Sequence, residues 1–208
     1  MIGMSFSGKS LQRMALHGLC LLPALWLGYL VATDGLGANP AEALLRALGL
    51  WAMRFVCLVL AVTPLRVWLR WRWLAGYRRM LGLYAFAYAS LHWVCYALLD
   101  MGLDWAAVLD DLAQRPFILV GTLAWLILLV LAITSIPALI RRLGGKRWQA
   151  LHRAVYAAAA LAVLHFWWMR AGKNNLAEVG VYLAIVAALL LARVLLRYQK
   201  AQQNKPSA

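Results

Sequence analysis

The sequence predicts an all-α integral membrane protein, a bundle of six transmembrane helices with both termini in the cytoplasm. Of its 208 residues, 65% are hydrophobic and only 13% are charged, which is not the composition of an ordinary soluble domain. Six apolar stretches approach the roughly 20 residues that a helix needs to cross a bilayer core of about 30 Å. The connections between these stretches alternate between basic and acidic, as expected of a chain that crosses a membrane repeatedly.

The predicted spans cover residues 14–31, 48–66, 80–99, 117–137, 148–169 and 176–196. They use more than half of the chain and leave only short connections, so we expect residues 1–208 to form a single membrane domain. The first span has the basic start of a signal peptide, but it continues to Val31 without a convincing cleavage site. We therefore expect this span to be retained.

Basic residues collect on one predicted side of the membrane. Sixteen of the 21 lie there: Lys9, Arg13, Arg66, Arg70, Arg72, Arg78, Arg79, Arg141, Arg142, Lys146, Arg147, Arg153, Arg193, Arg197, Lys200 and Lys205. The other side holds Arg46, Arg115, Arg170, Lys173 and all seven acids, and Arg54 alone is assigned to the interior of a span. Because cytoplasmic loops are rich in Lys and Arg, this pattern predicts cytoplasmic termini. The net charge of +14 then reflects topology, and we expect no nucleic-acid partner.

The connections have distinct compositions. "RVWLRWRWLAGYRR" (66–79) interleaves arginine with tryptophan, which is typical of an anchor in the lipid headgroup layer and compatible with docking of an acidic cytosolic partner. "RRLGGKR" (141–147) predicts a tight basic turn, and residues 100–116 an acidic outer loop. The cysteines at 20, 57 and 95 all fall within spans, so we expect packing residues rather than a disulfide.

All four histidines of the chain fall within predicted spans: His17, His92, His152 and His165. A single intramembrane histidine can simply hydrogen-bond a neighbouring helix, but ionisable groups in hydrocarbon are costly and usually mark function. At about 1.5 Å per residue, His92 and His165 lie about 6–10 Å from the outer boundary. His17 and His152 lie close to the inner boundary, so the sequence predicts two layers of imidazole.

Two such layers favour haem, which is held between helices by one histidine from each. His152 and His165 are 13 residues apart, about 20 Å along a helix, which is too far for one metal ion. The alanines at 157–160 would leave room for porphyrin faces, or would simply allow close helix packing. On an ideal helix the two histidines would lie about 140° apart, so two haems on one flank would require a distorted helix.

Three stretches carry a family resemblance: "RRMLGLYAFAYASLHWVCYALL" (78–99), "RPFILVGTLAWLILLVLAITS" (115–135) and "LGGKRWQALHRAVYAAAALAVLHFWW" (143–168). Together with "CLLPALWLGYL" and "GLGANP", they resemble the MsrQ family, haem-binding membrane subunits of a bacterial methionine sulfoxide reductase system. MsrQ belongs to the ferric reductase-like transmembrane superfamily. Members of that superfamily carry two histidines on the third helix and two on the fifth, which bind two b-type haems.

The chain departs from this pattern on the third helix, where His92 is the only histidine. The resemblance thus implies a complete outer pair of haem ligands, His92 and His165, and leaves His152 without its usual partner. Two residues are candidates for that partner, His17 first and Met80 second. A single haem with His152 as a nearby polar residue is the alternative.

Arg54 is placed toward the outer layer on the second helix. It could pair with haem propionates, or its side chain could snorkel to the headgroups.

The resemblance implies an electron-transfer subunit of an oxidoreductase complex, with sulfoxide reduction carried out by a partner. Haem b would pass electrons from a cytosolic flavin reductase or the quinone pool across the bacterial inner membrane. The acceptor would be MsrP, a periplasmic molybdoenzyme that repairs oxidised envelope proteins. FMN is implied as well, although no residue pattern in this chain marks a site for it.

The alternative is a ferric or other metal reductase that uses the same haem arrangement with another periplasmic acceptor. A transporter is less favoured because the spans lack acidic partners and inverted repeats. A purely structural anchor would not explain four intramembrane histidines.

Overall fold

The computed structural model describes residues 8–172 and 176–203, apart from the side chain of Lys9, and these ranges contain helices and no strand. The α-helices are α1 (Gly8–Ala32), α2 (Pro40–Trp68), α3 (Arg78–Cys95), α4 (Trp105–Gln114), α5 (Pro116–Ile133), α6 (Pro137–Leu151), α7 (Val155–Ala171) and α8 (Ala177–Gln203). Short 3-10 turns at Arg72–Tyr77 and His152–Ala154 precede α3 and α7, and a π-helical turn at Tyr96–Asp100 ends α3. Lys173 and Lys205, assigned above to opposite sides, lie outside the described residues.

Six helical segments in the described part of the chain are long and apolar enough to cross a membrane. They are Ser10–Ala32, Pro40–Trp68, Arg72–Asp100, Pro116–Ile133, Pro137–Ala171 and Ala177–Gln203. The predicted all-α class with six spans is therefore confirmed. We call the end of the bundle that carries Gly8 and Gln203 the terminal end, and the end that carries α4 the opposite end.

Two connections differ from their predicted form. Residues 100–116 include α4, because Asp104 caps it by accepting hydrogen bonds from the backbone N–H groups of Ala106 and Ala107 at 2.9 and 3.2 Å. Residues 141–147 do not form a simple turn but lie within α6, which is broken at Gly144 (φ 74°, ψ 152°). Glycine tolerates this positive φ, which a side chain would strain.

Helix α2 lies at the centre of the bundle and packs against α3, α7 and α8, while α5 packs along α7. Their contact surfaces form one core that includes Leu60, Tyr88 and Ala159, each almost completely buried. Helix α1 is peripheral and leaves Leu19 and Trp26 exposed. It is held to α3 by the Tyr88 hydroxyl, which donates to the Cys20 carbonyl at 2.8 Å. Such exposed apolar surface fits a helix that faces lipid.

Arg193 is buried within α8, whereas the sequence analysis counted it only among the charges on the basic side of the membrane. Its guanidinium donates to the carbonyl of Leu60 from Nη2 at 2.8 Å, to that of Val59 at 3.2 Å, and to the Tyr156 hydroxyl at 2.5 Å. Pro64 lacks the N–H that would otherwise pair with the Leu60 carbonyl one turn earlier. Arg193 satisfies this freed carbonyl and thereby joins α8 to α2 and α7.

Candidate functional site

The rings of His92 on α3 and His165 on α7 are neighbours between the helices, toward the opposite end of the bundle. Their ring centroids are 6.2 Å apart and their planes are inclined by 75°. Both line one cavity of about 570 Å³, which we call the His92–His165 cavity. This volume lies within the range of roughly 300–1,000 Å³ that is typical of cofactor and ligand sites.

Both rings are oriented by backbone carbonyls. Nδ1 of His92 lies 2.9 Å from the carbonyl oxygen of Leu45, and Nδ1 of His165 lies 2.7 Å from that of Phe117. A carbonyl oxygen can only accept a hydrogen bond, so each Nδ1 must carry the proton. Nε2 of each ring is then left with a free lone pair, which is the form of histidine that binds a metal.

A glycine lies against each of these rings. A Cβ on Gly49 of α2 would lie 3.0 Å from Cε1 of His92, and a Cβ on Gly121 of α5 would lie 2.7 Å from Nδ1 of His165. Both distances are too short for a side chain in ordinary van der Waals contact. The two glycines therefore allow each imidazole to approach a neighbouring helix closely enough for its hydrogen bond.

Arginines line the same cavity near the opposite end: Arg46, Arg115 and Arg170. Each pairs with a carboxylate on its own or an adjacent helix, namely Glu42, Asp111 and Glu178 respectively. The Nε–H of Arg170 is buried, and no residue that the structure describes accepts a hydrogen bond from it. A buried donor without a partner is costly, and it could be satisfied by an acidic group of a bound cofactor.

These features meet the requirements of a haem held by two axial imidazoles. Two metal–nitrogen bonds of about 2.0 Å, plus roughly 1 Å from each nitrogen to its ring centre, separate the centroids of two axial imidazoles by about 6 Å. The distance of 6.2 Å between the ring centroids of His92 and His165 agrees with this separation. Among the residues that the structure describes, no group of three or more His, Cys, Asp or Glu side chains could hold a bare metal ion.

His152 lies at the terminal end, in the 3-10 turn between α6 and α7. Its ring packs on Trp148 with centroids 4.0 Å apart, and Nε2 lies 3.3 Å from the Thr134 hydroxyl oxygen. The same hydroxyl donates to the carbonyls of Val130 at 2.7 Å and Leu131 at 3.2 Å. His152 therefore has a side-chain hydroxyl as its partner, whereas His92 and His165 each have a backbone carbonyl.

The 3-10 turn also shows that the segment from His152 to His165 is not one ideal α-helix. The angle of about 140° expected for an ideal helix therefore does not describe their relative directions.

His152 lines a second cavity of about 700 Å³, which we call the His152 cavity. Six basic residues contribute to its lining: Arg66, Arg78, Arg79, Lys146, Arg153 and Arg197. No acidic residue is part of that lining in the described chain. The cavity is therefore suited to an anionic ligand.

The two proposed partners of His152 are placed elsewhere. His17 on α1 is exposed, and its Nδ1 lies 2.8 Å from the Tyr84 hydroxyl oxygen. Met80 packs partly buried against the core. Neither residue is among the described side chains that line the His152 cavity. The structure thus brings His92 and His165 together, but it does not bring His17 or Met80 to His152.

Arg54 is partly buried between α2 and α8. Its Nε–H donates to the Tyr182 hydroxyl at 3.1 Å, and its guanidinium carbon lies 4.4 Å from the centroid of the Trp51 ring. It lines neither of the two cavities described here. The sequence analysis counted Arg170 only among the charges outside the spans. Arg170, and not Arg54, lines the His92–His165 cavity, where it could pair with a haem propionate. Its position in the last turn of a histidine-bearing helix is the signal that could have identified it.

Comparison with known proteins identifies the family to which the chain belongs. Residues 48–163 match the ferric reductase like transmembrane component family. Three relatives are each called protein-methionine-sulfoxide reductase heme-binding subunit MsrQ. The one from Polaromonas naphthalenivorans is 57% identical over 89% of this chain and 84% of its own length. Those from Ralstonia nicotianae and Herminiimonas arsenicoxydans are 49% and 48% identical, over 94% and 90% of this chain and 91% and 86% of their own lengths. The chain is therefore a multi-pass membrane protein that belongs to the ferric reductase-like transmembrane family and, within it, to the MsrQ family.

Proposed function

We propose that this chain is a haem b subunit that carries electrons across the bacterial inner membrane to a periplasmic methionine sulfoxide reductase. The observation that carries the proposal is the pairing of His92 with His165. Two imidazoles from separate helices, each with Nδ1 bonded to a carbonyl, lie with their ring centroids 6.2 Å apart, which is close to the separation expected of two imidazoles bound to one haem iron. The names of the relatives, which are heme-binding subunits, support the same cofactor.

The protein residues supply the binding and the orientation of that haem. Bound haem provides one-electron chemistry, as its iron alternates between the ferrous and ferric states. Leu45 and Phe117 hold the two imidazoles in the metal-binding tautomer through their carbonyls. Arg170 offers its unpaired Nε–H to a propionate. The apolar remainder of the lining, which includes Leu128 and Phe166, excludes water from the iron.

The His152 cavity is the proposed donor-side site. Its six cations suit either the carboxylates of a second haem or the phosphate of FMN, both of which are acidic cofactors. With a second haem, His152 would serve as an axial ligand after release of its bond to Thr134. A cytosolic flavin reductase or membrane quinone would deliver the electrons there.

The distribution of basic residues supports one orientation of the chain in the membrane. The terminal end carries most of the basic residues, so the positive-inside rule favours a cytoplasmic location for it. The His92–His165 cavity would then lie near the periplasm. An electron that moves outward across an inside-negative membrane is assisted by about 2.3 kcal/mol per 100 mV. Sulfoxide reduction itself would take place on the partner, a molybdoenzyme of the MsrP type.

The experiment uses the whole chain in sealed vesicles, with a flavin reductase and NADH on the side of the terminal end. A purified periplasmic methionine sulfoxide reductase is placed on the other side, with ferric chelates in a parallel sample. We expect haem reduction followed by reoxidation that depends on the reductase and on methionine sulfoxide. Rapid reoxidation by ferric chelates and none by the reductase would instead favour a metal reductase.

A further inference from the structure

Three indole rings form a continuous stack from the His92–His165 cavity to the protein surface. Trp125 on α5 and Trp93 on α3 lie with centroids 5.1 Å apart and planes inclined by 14°. Trp93 and Trp105 on α4 follow at 6.2 Å and 22°. Trp93 and Trp125 line the cavity, whereas Trp105 is 58% exposed. The stack therefore connects the candidate cofactor site with the surface of the opposite end.

The rings are held in place by hydrogen bonds as well as by packing. The Trp125 indole donates to the Ser90 hydroxyl at 2.9 Å, and the Trp93 indole donates to the Thr122 hydroxyl at 3.4 Å. Trp105 is the first residue of α4, directly after the capping residue Asp104. The two rings that line the cavity are thus fixed by hydrogen bonds, and the Asp104 cap fixes the backbone from which the Trp105 ring extends.

We propose that this stack is the route by which an electron leaves the cofactor of the His92–His165 cavity, and that the acceptor docks over Trp105. The inference rests on the function proposed above. A haem held by His92 and His165 would supply one electron, its iron going from ferrous to ferric, and the acceptor would be reduced by that one electron. The indoles are not oxidised. They fill the gap with closely packed π systems, and electron tunnelling through such contacts falls off less steeply than through loosely packed aliphatic side chains.

The surface around Trp105 indicates the chemistry of the acceptor. Asp100, Asp104 and Asp110 are exposed in and next to α4, and all seven acids of the chain were assigned to this end. Complementary charge accelerates encounter and fixes orientation. The acceptor is therefore a one-electron redox protein with a basic rim around its cofactor, and the reaction should slow as salt is added.

The test measures reoxidation of the reduced chain in a stopped-flow spectrometer, with two acceptors. One is a periplasmic methionine sulfoxide reductase, and the other is cytochrome c, a basic one-electron protein. Because Trp93 lines the cavity, rates are expressed per bound haem. Trp93→Leu should slow reoxidation several-fold on that scale, and Trp93→Phe should recover part of the rate. Trp26→Leu is the matched control, since Trp26 is an exposed indole that stacks on Tyr29 and does not line the cavity.

Trp105→Leu provides a second arm, because Trp105 does not line the cavity and its loss should leave the haem in place. If Trp105 were only an apolar anchor in the lipid, leucine would replace it without effect. If Trp105 is part of the electron route, leucine removes the indole, so a several-fold slower reoxidation supports the proposal. Wild-type rates in both Trp105→Leu and Trp93→Leu would overturn it. Asp104→Asn with Asp110→Asn should weaken the dependence on salt while preserving the helix cap.

The two acceptors separate failure of the route from failure of the proposed function. Wild-type protein that reduces cytochrome c but not the methionine sulfoxide reductase contradicts the proposed acceptor, and the tryptophan variants still decide the route with cytochrome c.

Discussion

Gly121 and His165 are in direct contact across the α5–α7 interface. A Cβ on Gly121 would lie 2.7 Å from Nδ1 of the imidazole and 2.9 Å from Cε1. The same Nδ1 is bonded to the Phe117 carbonyl one turn earlier on α5. The absence of a side chain at 121 thus determines where the imidazole sits and which nitrogen is free to bind a metal.

We predict that Gly121→Ala reduces haem content, because the added methyl group pushes the His165 ring away from its carbonyl. Haem per protein is measured by the pyridine haemochrome method. Gly28→Ala is the control, since a Cβ there meets no atom of the described residues within 4 Å. Alanine favours a helix over glycine by about 1 kcal/mol, so a loss of haem in Gly121→Ala cannot come from a weaker helix. Full haem in Gly121→Ala would contradict the prediction.

A second prediction concerns the buried bond between Arg193 and the Leu60 carbonyl. Arg193→Leu leaves this carbonyl without a partner and should lower the free energy of unfolding by about 1–3 kcal/mol. Thermal unfolding in detergent measures the loss. In a Pro64→Ala background the restored N–H can pair with the carbonyl, so the same replacement should cost less. An equal cost in both backgrounds would refute the link between Pro64 and Arg193.

A third prediction concerns His17, the first candidate partner of His152 on sequence grounds. Because its imidazole contacts Tyr84 and is exposed, His17→Phe should leave haem content and the visible spectrum unchanged. Tyr84→Phe removes the same hydrogen bond and serves as the control. Loss of a haem in His17→Phe but not in Tyr84→Phe would instead support His17 as a ligand.

The fold was predictable because bilayer thickness imposes a length on each apolar stretch. The number of spans was predicted correctly from the apolar stretches of the sequence. Helix α4 was missed because it is too short to register as a span, although Asp104 before an apolar run is a capping signal. The helical course of 141–147 was missed because adjacent glycines are usual in turns, and only Gly144 has the expected positive φ.

The part of the candidate site that could be predicted is the part that depends on how deep each residue lies in the membrane. His92 and His165 were paired by depth, and the structure brings them together, while their role as ligands stays a prediction. The depth of a residue in the membrane does not determine the direction in which its side chain leaves the helix. His17 was therefore proposed as a partner of His152 because the two have similar depths, but the structure keeps them apart. The role of Arg193 could not be foreseen, since it depends on a carbonyl of another helix that Pro64 leaves free.

The most direct test of the central claim is the haem content of His92→Ala, His165→Ala and the double variant. If both imidazoles hold one haem, each single variant loses the same amount of haem and the double variant loses no more. His152→Ala should retain that haem with its absorption spectrum unchanged. Full haem content in either single variant, or a double variant that loses twice as much, would contradict the account.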